Sequence, residues 1–168
     1  MQTLLRLAYP PRCTACGALV AEEFGLCGPC WAAMPFVTGL ACDLCGVPLP
    51  GEAEAGAVQC DDCLTIARPW AQGRAALVYR GGARRFVLAM KHGDHPELAR
   101  PTARWLARAG AEMLEGAVLV PVPLHWRRLL ARRYNQAAEL SRALARLTGS
   151  AHLPELLVRR RATPLLDG

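Results

Sequence analysis

No cysteine occurs after residue 63 of this 168-residue chain, so thiolate chemistry is confined to its first part. No apolar run approaches the roughly 20 residues that span a bilayer, because arginines interrupt every candidate, and no membrane insertion is expected. Residues 1–10 carry Arg6 and then Tyr9-Pro10 without a sustained apolar core, so no secretory signal is read there. Ser-His-Asp and Walker-type signatures are missing, which leaves no motif for triad acyl transfer or P-loop phosphate binding. His92, His95, His125 and His152 have no metal-ligand spacing to one another or to the cysteines, and are expected on the surface or in loops. Lysine is reduced to Lys91, and arginine supplies the rest of the 20 basic side chains.

What is present is concentrated. The eight cysteines fall as four Cys-x-x-Cys pairs: Cys13/Cys16, Cys27/Cys30, Cys42/Cys45 and Cys60/Cys63. A Cys-x-x-Cys turn aims two thiolates at one point, and two such turns make a tetrahedral sulfur site for Zn²⁺. Four pairs therefore predict two structural zinc ions per chain. Four thiolates leave no open position for water, which argues against catalytic zinc. Disulfides need an oxidising compartment, and a thioredoxin-like motif has one pair rather than four in series. Thiolates also hold iron–sulfur clusters, but the paired spacing favours zinc. The cysteines imply a reducing interior, and the chain is read as cytoplasmic.

Residues 10–35 and 40–66 look like two copies of one unit, each opening on Cys-x-x-Cys-Gly. Such small units have little core, so metal must supply much of their folding energy. Sequential pairing of the cysteines is favoured by the duplication, while spacing alone also allows a crossed arrangement. Trp31, Phe36 and Leu40 are expected to pack between the two copies.

The net charge of +6 is unevenly spread. Residues 1–67 hold two basic and seven acidic side chains, a balance of −5; residues 68–168 hold 18 and seven, a balance of +11. Two four-thiolate zinc sites would add about −4 to the first part. The division reads as a double zinc ribbon over 1–67 and an α/β body over 68–168. Within the body, 74–80 reads as a strand and 83–91 as a helix. A second helix is expected over 96–110, disturbed at Pro101. The apolar run 117–123 suits a buried parallel strand. Asn135 looks like the N-cap of a helix to Thr148 closed by Gly149, and 156–158 reads as a further strand. That order argues for α/β with a parallel sheet.

Between the apolar run and the Asn135 helix lies a basic loop, 124–134, with Arg127, Arg128, Arg132 and Arg133. Ligands of open α/β sheets bind at the carboxyl ends of strands, and arginines pair with phosphate. Phosphate binding and a solvated basic turn are both compatible with this stretch. Trp126, beside these arginines, is the one tryptophan read as a candidate stacking residue.

Taken together, the four cysteine pairs, Lys91-His92-Gly93-Asp94, and Val120-Pro121-Val122-Pro123-Leu124-His125 running on to Tyr134-Asn135-Gln136-Ala137 resemble the ComF/GntX family. The resemblance covers essentially the whole chain. It implies a double zinc ribbon followed by a type I phosphoribosyltransferase-like domain, and a link to DNA uptake in natural transformation. It implies that 123–133 lies over the pyrophosphate of phosphoribosyl pyrophosphate, with Arg127, Arg128, Arg132 and Arg133 as candidate phosphate ligands. Asn135 and Gln136 would set the following helix, and Lys91 would lie near the entrance of the domain. Beside the resemblance, the +11 balance of 68–168 and the ribbons leave open a module without catalysis that binds nucleic acid such as single-stranded DNA, or docks a protein such as one of the competence machinery.

The departure from the family is specific. Its main motif, a strand ending in two acidic residues and then a Thr-Thr-Gly-like phosphate loop, has no counterpart after Leu157. Asp61-Asp62 sits inside a cysteine pair and no glycine follows Thr65, so it is no substitute. The 168 residues are therefore expected to correspond to the first two-thirds of such a protein, as a truncated sequence or a degenerate remnant, with an incomplete parallel sheet and no transferase activity.

Overall fold

The structure, a computed structural model, describes residues 9–52, 56–92 and 95–163. The described residues divide into two compact units, those within 9–87 with Arg108–Ala111 and those within 88–107 with 112–163.

The first unit contains the duplication, and the hydrogen bonds repeat with it. The Cys13 N–H donates to the Ala18 carbonyl and the Gly17 N–H to Cys13; at the equivalent positions Cys42 donates to Val47 and Gly46 to Cys42. Thr14 donates to Gly25 as Asp43 donates to Val58. Antiparallel bridges Arg12–Leu19 and Ala41–Pro48 close the two hairpins. Each second cysteine pair opens a one-turn helix: α1, Gly28–Ala32, capped by Cys27, and α2, Asp61–Thr65, capped by Cys60. Asp61 and Asp62 occupy the first turn of α2, where carboxylates face the positive end of the helix. Met34 is the buried apolar residue that follows α1, while Trp31 leans on Phe36 at a ring distance of 4.6 Å and stays half exposed.

The predicted strand over 74–80 is reduced to a single bridge, Phe36–Leu77, flanked by hydrogen bonds from Val37 to Ala76 and from Val78 to Pro35. The chain here edges the ribbons rather than a sheet, so 68–87 shares a compact unit with the cysteines although the change in charge falls at 67/68.

Helix α3, Gly81–His92, buries Ala83, Phe86 and Met90, spaced three and four apart on one face. A 3₁₀ turn, Pro96–Leu98, leads into α4, Ala99–Ala109. Pro101 does not disturb it, because it lies in the first turn, where a backbone N–H has no intrahelical acceptor. Leu98, Ala99 and Ala103 form the buried face, and Thr102 returns its hydroxyl to the Leu98 carbonyl. The short α5, Ala111–Leu114, precedes β1, Val118–Leu119.

Strand β1 pairs in parallel with β2, Ala151–His152, in the register Val118–Ala151 and Leu119–His152. The fold is thus mixed helix with a small parallel sheet. The apolar run predicted as a strand over 117–123 is strand for two residues only, and Pro121 and Pro123, which lack N–H groups, cannot extend the ladder. The strand predicted over 156–158 is not formed: Leu156, Leu157 and Val158 are exposed and unpaired as strand, and 151–152 takes the place beside β1. The expected loop 124–134 contains a helix, α6, Trp126–Arg132. Helix α7, Gln136–Thr148, starts and stops as its sequence predicts. Asn135 Oδ1 accepts from the Ala137 N–H at 3.0 Å, and Gly149 ends the helix at φ 74°.

Candidate metal centres and the basic turn

The cysteines gather into two groups, Cys13/Cys16/Cys27/Cys30 and Cys42/Cys45/Cys60/Cys63, with the sulfurs of each group within 4.8 Å of one another. Pairing is therefore sequential, one site per ribbon. The Cys16–Cys27 and Cys45–Cys60 sulfur separations are 3.5 and 3.6 Å. A tetrahedral ZnS₄ site with Zn–S of about 2.3 Å has sulfur–sulfur edges of about 3.8 Å, so the cages have the size of the ion. The same separations are far beyond the roughly 2.05 Å of a disulfide.

The backbone prepares these cages for a cation. Burial by itself would raise the Cys13 thiol, but the N–H groups of Cys27, Ala15 and Cys16 outweigh it and bring it down to about 6. Cys42 likewise falls to about 6, its burial outweighed by the N–H groups of Cys60, Cys45 and Leu44. Crowding works the other way on their neighbours. The thiols of Cys16 and Cys27 push Cys30 up to about 12. Cys45 is also pushed up to about 12, because burial and the surrounding thiols overcome the N–H of Val47. Without a cation each cage resists holding several thiolates together; a divalent ion at the centre removes that repulsion. The residues present fit structural zinc, held by four thiolates at each site.

The two sites differ in their surroundings. Cys16 is exposed at the first, whereas Cys42 and Cys63 are both buried at the second. Arg68 Nε donates to Cys63 Sγ at 3.5 Å. Arg74 pairs with Asp43 at 2.7 Å and also donates to the Asp43 carbonyl. Val58 N–H donates to Asp43 Oδ2 at 2.8 Å, and this bond, with Arg74 second, holds the Asp43 carboxyl below its usual range.

The candidate phosphate ligands lie in the second unit. Arg127 and Arg128 sit in the first turn of α6, Arg132 in its last, and Arg133 ends it in the left-handed region at φ 63°. The Arg127 guanidinium lies 5.2 Å from the centre of the exposed Trp126 ring, and Arg128 donates to the Thr163 carbonyl. His125 is buried and caps α6, its Nδ1 accepting from the Arg127 N–H, a role its spacing to other histidines does not reveal. Lys91 is at the far end of α3, with an exposed side chain, and its carbonyl accepts from Gln136 Nε2 at 3.0 Å. Tyr134 Oη donates to the Met90 carbonyl at 2.7 Å. The Tyr134-Asn135-Gln136 stretch thus does two things: it starts α7 and ties off the last carbonyls of α3. Arg159 Nε joins the same region by donating to the Pro123 carbonyl. Among the described residues no histidine joins a cysteine cluster: His95 pairs with Glu97, and His152 Nε2 lies 2.9 Å from Ser141 Oγ. The side chain of His92, with Gly93 and Asp94, lies outside the described residues. Among the described residues no helix is long and apolar enough to cross a membrane.

Comparison with known proteins agrees with this geometry. Residues 4–64 match the family described as the double zinc ribbon domain. The DNA utilization protein YhgH of Salmonella typhimurium is 29% identical over 164 residues, covering 94% of this chain and 70% of that protein. No solved structure matches. The matched family and the two cysteine cages together make the first part of this chain a double zinc ribbon with two structural zinc sites.

Proposed function

We propose that this chain is a ComF-type protein serving the utilisation or uptake of DNA, in which the zinc ribbon precedes a type I phosphoribosyltransferase-like α/β unit. The observation that carries the reading is the extent of the similarity to the Salmonella protein: it runs through 94% of this chain, far beyond the cysteines. The parallel strand pair and the helix that follows the basic turn are compatible with the α/β part of the proposal. In this reading Arg127, Arg128, Arg132, Arg133 and Lys91 take a phosphate-bearing ligand, phosphoribosyl pyrophosphate or a phosphodiester. The 168 residues contain no acidic pair followed by a Thr-Thr-Gly loop, so they turn over no phosphoribosyl pyrophosphate. The setting is the cytoplasm, whose reducing poise preserves thiolate zinc sites.

Deleting the gene should lower use or uptake of external DNA, and the wild-type gene should restore it. Undiminished DNA use in the deletion strain would sink the proposal. The purified chain should release no pyrophosphate from phosphoribosyl pyrophosphate; measurable release would overturn the catalytic part alone.

A second reading, a non-catalytic module that docks nucleic acid or a partner protein, is favoured by the Trp126–Arg127 pair. An exposed ring beside a guanidinium offers a base a face to stack on and a phosphate a cation.

A further inference from the structure

The ribbons are duplicates in their hydrogen bonds but not in what lies against them. At the first site the knuckle 13–17 is open on its outer side among the described residues: a Cβ built on Gly17 meets none of them within 4 Å. At the second, residues 68–75 run across the knuckle 42–46. A Cβ on Gly46 would come within 2.5 Å of the Ala75 nitrogen, and one on Gly73 within 2.5 Å of the Leu44 carbonyl oxygen. Two backbones meet there with no room for a side chain between them.

The crossing is also bonded along its length. Arg68 Nε reaches Cys63 Sγ, Trp70 Nε1 donates to the Leu44 carbonyl at 2.6 Å, and the Gly73 N–H donates to the Asp43 carbonyl at 2.9 Å. Arg74 then clasps Asp43 through its carboxylate and its carbonyl. Among the described residues the first knuckle has two side-chain bonds, Arg12 to the Gly17 carbonyl at 3.1 Å and Thr14 Oγ1 to the Gly25 carbonyl at 3.4 Å, and both come from inside its own ribbon.

We propose that 68–75 is a strap that locks the second zinc site against metal exchange and leaves the first as the exchangeable site of the pair. Losing a zinc ion requires at least one thiolate to swing away and admit a competing ligand. At the second site that motion must break the Arg68–Cys63 bond or lift the strap from Leu44. At the first, Cys16 already faces solvent. Arg68, Trp70, Gly73 and Arg74 are positioning residues: none is a ligand, Trp70, Gly73 and Arg74 act through the loop that carries Cys42 and Cys45, and Arg68 acts through Cys63. Partners of metal ligands change metal affinity by about 10–100-fold when removed. The strap should open a gap of that order between the two sites.

The test uses the full chain loaded with two zinc ions, challenged with EDTA in the presence of N-ethylmaleimide and followed by mass spectrometry of the cysteine peptides. In the wild type, Cys13, Cys16, Cys27 and Cys30 should be alkylated about 10–100-fold faster than Cys42, Cys45, Cys60 and Cys63. Gly73→Ala should push the strap off Leu44, and Arg68→Ala should remove the donor to sulfur. Either change should bring the second cluster toward the rate of the first while the first keeps its own rate, which a general loss of fold would not allow. Equal rates in the wild type would overturn the proposal. So would a gap that survives in both variants, or one that closes only because both clusters accelerate together.

Discussion

Two glycines and one asparagine show how much a single position decides. Gly17 and Gly46 follow the first cysteine pair of each ribbon and hold φ of 77° and 75°, where an L side chain costs about 1–2 kcal/mol. Gly17→Ala should cost about that much. Gly46→Ala should cost more, because its methyl also meets the Ala75 nitrogen. Urea unfolding of the zinc-loaded chain gives both values, and equal losses would mean the strap yields freely. Asn135→Ala removes the cap of α7 and the donor to the Val122 carbonyl at 3.1 Å. A loss of about 1 kcal/mol is expected in the same experiment. The cap was legible in the sequence because its logic is local: an Asx side chain, an apolar helical repeat and a closing glycine within 15 residues. The grip of Gly73 on Leu44 was not legible, because it joins two backbones 29 residues apart and leaves no pattern beyond a glycine.

At the scale of elements, metal and sheet behave differently as sources of order. The ribbons have two-residue bridges and one-turn helices, too few apolar contacts to hold together alone, and their cages supply the missing energy. Removing zinc with a chelator should therefore abolish amide-exchange protection at Cys13, Gly17, Cys42 and Gly46. Protection that persists without metal would show that the hairpins stand on their own hydrogen bonds. All eight ligands could be read from spacing, since Cys-x-x-Cys geometry is local and only the pairing of the turns needed three dimensions. The strands are less legible. Leu156-Leu157-Val158 has the composition of a strand, but composition records only what suits a half-buried pleat. In the structure these side chains face solvent, and the less apolar Ala151-His152 pairs with β1 immediately after the turn that closes α7.

For the whole molecule the governing quantity is the distribution of charge. Along the sequence, residues 1–67 balance −5 before their thiolates and residues 68–168 balance +11, and the arginines of the second stretch include Arg127 and Arg128 beside an exposed tryptophan. If the body holds nucleic acid through these cations, affinity for single-stranded DNA should fall steeply with salt. Each phosphate neutralised contributes a slope of about −0.7 in log K against log salt. The double change Arg127→Ala and Arg128→Ala should flatten that slope by about 1 to 2. Binding that does not respond to salt between about 50 and 200 mM would remove the arginines from the account.

The strap also fixes the order of the duplication. Thr14 occupies in the first ribbon the place that Asp43 occupies in the second, and a threonine offers Arg74 no carboxylate. A chimaera with its ribbons exchanged would keep every cysteine and every repeated hydrogen bond. It would nevertheless present the wrong knuckle to 68–75, so copies that began as equals are no longer interchangeable parts.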